Sequence, residues 1–214
     1  MKAKGSDNGD FQRPDPGTYL ARCVRIVDIG TQYGEYQGKP NARRQIVMVW
    51  ELPTELIETG DYAGQPSTVS KFYTLSLNEK ATLRHDLENW RTKAFTADEL
   101  AGFDMANVLG VPCMVTLTPT ESGKIKVSGV TAPPKGTKVP KQITPSVMFS
   151  LEPDEFDAAI YAGLSEWFRE TIAKTPEYQA LTGHQHDEAG RPQDPDGAPK
   201  DFSDVDFGND DIPF

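Results

Sequence analysis

The chain has 214 residues, with 32 Asp and Glu against 22 Lys and Arg and a formal net charge of −10. That length suits one substantial domain with appendages, and acid spread evenly over its surface would exclude phosphate-rich partners. The acid is segregated: residues 11–141 hold fourteen acids and sixteen bases, residues 142–182 seven and two, and residues 183–214 nine and two, so a mildly basic body precedes an acidic rear.

Residues 1–16 are rich in Gly, Asp and Pro and predict a flexible leader. They lack the apolar stretch of a signal peptide, and no run approaches a membrane span, so the cytoplasm of a bacterial host is the expected location. Residues 18–29, with Tyr19, Leu20, Val24, Ile26, Val27 and Ile29, predict a long, bent strand. Gly30, Gly34, Gly38, Pro40 and Asn41 then predict a loop over 30–42. A second strand is predicted over 43–52, its even positions Ile46, Met48, Trp50 and Leu52 facing the core.

A third strand over 68–75 alternates Val69, Lys71 and Tyr73 with Ser70 and Phe72. The capping-box spacing of Ser76 and Glu79 predicts a helix whose Leu83, Leu87 and Trp90 share a face. A second box, Thr96 and Glu99, opens a shorter helix, and residues 104–109 add a turn. Strands return over 112–118 and 124–132, joined at Glu121-Ser-Gly123. Cys23 and Cys113 sit in apolar runs without a CxxC partner and read as small buried hydrophobes.

Five strands with a helix between the third and fourth is the element order of the OB-fold, a Greek-key barrel that other five-stranded barrels share in outline. The expectation is therefore a mainly β chain with an OB-fold domain over 17–134, a linker over 135–151, a helical segment over 152–182 and a disordered acidic tail over 183–214. In the helical segment Phe156, Ile160, Leu164, Trp167 and Phe168 fall on one face of an amphipathic helix of about five turns. That helix either covers the barrel or pairs with another protomer, which leaves a homo-oligomer open. Thr175 starts a short last helix that Gly183 stops.

Single strands are bound by cations for phosphates and aromatic faces for bases. Between the first two strands, Tyr33 and Tyr36 are stacking candidates, with Lys39, Arg43 and Arg44 as phosphate contacts. Lys71 and Tyr73 would extend this groove and Lys124 and Lys126 close it; the plain alternative has Tyr73 in the core and the lysines solvated. Trp50, Trp90 and Trp167 lie on apolar faces and read as core. His184 and His186 provide too few ligands for a metal, and the chain has no Gly-rich phosphate loop, H-E-x-x-H or nucleophile elbow, so neither a cofactor nor an enzyme activity is expected.

The sequence ends on Asp210, Asp211, Ile212, Pro213 and Phe214, where a ring and a terminal carboxylate follow a run of acids. D-D-I-P-F resembles the partner-recruiting tip of bacterial-type single-stranded DNA-binding proteins. The stretch Pro16-Gly-Thr-Tyr19, the basic loop after it and Val49-Trp-Glu-Leu52 are similar to the bodies of phage-encoded OB-fold single-stranded DNA-binding proteins. The resemblance implies a protein that coats single-stranded DNA in replication or recombination and recruits host or phage replication proteins through its tip. A replisome adaptor without nucleic-acid binding and an RNA-binding OB-fold protein are the alternatives.

Overall fold

Two long antiparallel strands, β1 (Gly17–Tyr36) and β2 (Lys39–Leu56), run through the centre of the computed structural model, which describes residues 14–36 and 39–183. Both exceed their predicted lengths, chiefly because residues 31–36 and 39–42 pair as a β-ribbon where a loop is expected. Neither Gly30 nor Gly34 ends it, and Gly34 pairs in register with Asn41. At Gly30, φ is +68°, the register with β2 shifts between Asp28 and Thr31, and a Cβ would lie 2.8 Å from the Thr175 side chain. Only glycine combines that backbone with that approach.

The strand β3 (Pro66–Thr74) pairs with β2; β4 (Pro112–Pro119) pairs with the first half of β1; and β5 (Ile125–Thr131) pairs with β4. The spatial order is β3-β2-β1-β4-β5, all antiparallel. A sixth strand, β6 (Val147–Phe149), arises inside the predicted linker and pairs parallel to Arg25, Ile26 and Val27 of β1, on residues that β4 leaves unpaired. The expectation of a mainly β chain holds, and where a partly open five-stranded OB-fold barrel is expected the described residues form an open six-stranded sheet. The ends of its order, β3 and β5, bring residues within 8 Å of each other, but no ladder joins them among the described residues.

Between β3 and β4 lie α1 (Thr82–Arg91), α2 (Ala97–Ala101) and a 3-10 turn over Met105–Val108. The box at Thr96 and Glu99 forms as expected. The one at Ser76 and Glu79 does not: the Ser76 hydroxyl accepts from the Asn78 amide at 3.2 Å, closing a local turn, and α1 starts later, after Ala81.

Trp50, Met48, Ile46 and Leu52 of β2 pack with Cys23, Ile26, Val115, Leu117, Val127, Leu83, Leu87 and Trp90 in the first core layer. The odd positions of β2 are buried as well. Val47 and Val49 join Val24, Val27, Ile29 and Phe149 in a second layer, covered by Leu164, Phe168 and Ile172. The covering segment comprises α3 (Ala158–Gly163) and α4 (Glu166–Ala173) in place of one five-turn helix, followed by the expected last helix, α5 (Pro176–Thr182). Its breaks fall at Ser165 and Thr175, which precede α4 and α5, and the Thr175 hydroxyl accepts from the Tyr178 amide. The short helices wrap the sheet while keeping their apolar residues on it, so β1 and β2 form the middle of three layers.

Candidate nucleic-acid interface

The β1–β2 ribbon outruns its neighbours. Pairing with β3 stops at Gln45, and pairing with β4 and β6 stops at Arg22 and Val27, so Thr31 to Tyr36 and Lys39 to Arg44 form a two-stranded arm. Tyr33 is opposite Ala42 and 64% exposed, an unusual degree for a tyrosine. Lys39 and Arg43 are also exposed. Opposed residues share a face and successive ones alternate, so Tyr33 shares its face with Glu35, while Lys39 and Arg43 lie on the other. The Arg43 Nε donates to Asn41 Oδ1 at 3.2 Å. The side chain of Tyr36 lies outside the described residues.

Arg44, expected to contact phosphate, is turned inward at the root of the arm. Its guanidinium donates to Asp28 and, at 2.6 Å, to Glu152 Oε1. Burial opposes its charge, but the hydrogen bonds and charges of Asp28 and then Glu152 outweigh that and hold its pKa above the ordinary value. Asp28 also accepts from the Gly30 amide at 2.9 Å and the Leu151 amide at 3.2 Å, joining the bulge, the arm and the start of the helical segment.

Lys71 and Tyr73 do not extend a groove either. Tyr73 is 3% exposed with its ring edge-on to Trp50, and its hydroxyl donates to Asp86 Oδ2 at 2.6 Å. Lys71 Nζ donates to the same oxygen at 2.7 Å and sits 5.0 Å from the Tyr73 ring centre. Burial first, and the Asp86 charge second, raise the Tyr73 pKa well above that of a free phenol. This is an internal polar triad tying β3 to α1, and the core alternative holds for Tyr73.

Lys124 and Lys126 lie by the β4–β5 turn, which the register places beyond Gly17, at the end of β1 opposite the arm. The structure therefore groups Tyr33, Lys39 and Arg43 and assigns Lys124 and Lys126 to a separate place. Trp50 and Trp90 are buried, and Trp167 packs edge-on to Phe72 with centroids 6.1 Å apart, each in a core role. The face of β2 and β3 bearing Val47, Val49 and Phe72 lies beneath the helical segment. Sequence reasoning missed the carboxylates that fix these cations, Asp28, Asp86 and Glu152. The available signal was an isolated acid in an apolar run, as in Ile-Val-Asp28-Ile.

Both cysteines are free and buried, and burial raises both thiol pKa values. Among the described residues no group of three or more His, Cys, Asp or Glu could hold a metal, and no helix is long and apolar enough to cross a membrane. His184, His186 and the tip from Asp210 to Phe214 lie outside the described residues.

The chain matches no family model and no curated protein.

Proposed function

We propose that the protein binds single-stranded nucleic acid, DNA in the first instance, and that its D-D-I-P-F segment docks on replication or recombination proteins. The observation that carries the reading is the arm, a two-stranded ribbon that presents the Tyr33 ring to solvent on one face and Lys39 and Arg43 on the other. Bases stack on the ring while the backbone passes round the ribbon edge to the cations, a combination that needs unstacked bases and little sequence information. Strand order adds support. We read β1 to β5, with α1 between β3 and β4, as an OB-fold arrangement.

In this reading the helical segment occupies the outer sheet face that such folds commonly offer to oligonucleotides, which leaves the arm and the sheet rim as contact surfaces. The protein carries out no chemistry on its ligand and needs no cofactor. Anisotropy titration of a labelled oligonucleotide at fixed salt tests the proposal: single-stranded DNA is expected to bind more tightly than the same sequence as duplex. Equal or tighter duplex binding removes base stacking, and no binding to either makes the chain an adaptor. Tighter binding to the matching RNA would transfer the assignment to RNA, whose 2′-hydroxyl offers extra contacts.

A further inference from the structure

Residues 122–151 contain Lys124, Lys126, Lys135, Lys138 and Lys141 and no Asp or Glu, in a chain with 32 acids. This stretch starts at the β4–β5 turn, follows β5, crosses an irregular strap over 132–146 and ends in β6. Lys126, Lys135, Lys138 and Lys141 are exposed, and none forms an ion pair among the described residues.

The strap has no ladder of its own, yet it is fastened along its length. The Ala132 amide donates to the Asn89 carbonyl at 3.3 Å, and the Thr137 amide and hydroxyl close a turn on the Pro134 carbonyl around Gly136. Arg22 bridges the Gly110 and Pro140 carbonyls at 2.6 and 2.9 Å. Glu51, 0% exposed in the middle of β2, accepts from the Ile143 amide at 3.2 Å and the Thr144 amide at 2.8 Å. Burying a carboxylate is costly unless its oxygens are hydrogen-bonded, and here the compensating donors come from the strap itself. A passive linker requires no such anchor.

The strap also joins places that the register separates. β5 runs beside the first half of β1 through β4, Arg22 and Glu51 are opposed across β1 and β2, and β6 reaches Arg25 to Val27. The lysines thus mark a route from the β4–β5 turn toward the half of β1 that bears the arm.

We propose that this acid-free, anchored segment is the phosphate track for single-stranded nucleic acid, with Lys126, Lys135, Lys138 and Lys141 as its cationic contacts and Glu51 and Arg22 as its positioning residues. The inference rests on the function proposed above. It explains how a chain of net charge −10 holds a polyanion: the contacts lie where the sequence is locally free of acid.

The test is a salt titration of labelled oligo(dT) with the full chain and with Lys135→Gln/Lys138→Gln/Lys141→Gln, three surface changes that leave every anchor intact. Each lost contact to a single strand makes the slope of log K against log salt shallower by about 0.7, so the triple variant is expected to lose about 2 of slope, which over the decade from 1 M salt corresponds to about a hundredfold weaker binding near 0.1 M. As a second readout, saturating oligo(dT) should slow tryptic cleavage after Lys135, Lys138 and Lys141. If the parent chain binds oligo(dT) while the triple variant keeps its slope and affinity, or cleavage is as fast with ligand, the track is overturned and the arm retains the function. If the parent chain binds no single strand, the functional proposal falls and the track falls with it.

Discussion

Glu177, in α5, accepts two hydrogen bonds from Thr31 at the root of the β1–β2 arm, from the amide at 3.0 Å and from the hydroxyl at 2.5 Å. Together with Thr175 packed over Gly30, this latch fixes where the arm leaves the sheet. Burial works against the Glu177 charge, but the two Thr31 bonds outweigh it and the pKa is lowered. A lowered carboxylate adds stability that is fully present above its unfolded pKa of about 4.3 and is lost as pH falls through the folded value. The gap in melting temperature between the parent and Glu177→Gln is therefore expected to be largest above about pH 5 and to shrink as the solution is acidified from the unfolded value through the lower folded one. A gap that stays constant from pH 6 to 3 would show that the ionised latch does not form in solution.

Arg43 and Arg44 are neighbours in sequence with opposite expected phenotypes. Arg44→Ala strands the Asp28 carboxylate, 5% exposed, without its main counter-charge, and is expected to lower stability by about 1–3 kcal/mol while the salt slope for oligonucleotide binding stays put. Arg43→Ala removes an exposed cation of the arm; stability should hold within about 0.5 kcal/mol, and the slope should become shallower by about 0.7. Urea melts paired with salt titrations decide it. The reverse assignment of the two phenotypes would mean that Arg44 leaves Asp28 to reach the ligand.

The tyrosines make a similar pair. Tyr33→Ala removes an exposed ring and is expected to weaken single-strand binding by about 1–3 kcal/mol with unchanged far-UV circular dichroism. Tyr73→Phe leaves Asp86 to Lys71 alone and is expected to cost about 1 kcal/mol of stability with affinity unaltered. Were Tyr73→Phe to weaken binding at full stability, the polar triad would belong to the interface after all.

How far the sequence was legible follows from the range over which each signal acts. The even positions of β2, the box at Thr96, the hairpin turn at Gly123 and the final helix ending at Gly183 rest on contacts close along the chain, and each appears as expected. The arm was hidden because Gly30, Gly34 and Gly38 spell a loop when read locally. What excludes a side chain at Gly30 is Thr175, which lies far along the chain. Likewise Arg44 and Lys71 read as free cations because their partners, Glu152 and Asp86, are brought in by other elements. The open sheet could not be anticipated either, since the apolar pattern of a strand is the same whether its last ladder closes or not.

The tail gives two effects of opposite sign. Residues 183–214 carry nine acids and two bases, charges that would compete with phosphates for the cations of the body wherever they reach it. Removing the segment is expected to raise affinity for single-stranded DNA at low salt, with a gain that shrinks as ionic strength rises and screens the competition. Phe214→Ala leaves all of those charges in place and should not change DNA affinity. It removes the ring that a hydrophobic pocket would grip beside a cationic rim, so capture of purified replication or recombination proteins on an immobilised chain should fall by tenfold or more, the loss of an anchor worth about 2 kcal/mol. Retention of those partners by Phe214→Ala would remove the docking role of the tip, unaltered DNA affinity after removal of residues 183–214 would remove the competition, and both together would leave the function resting on the arm alone.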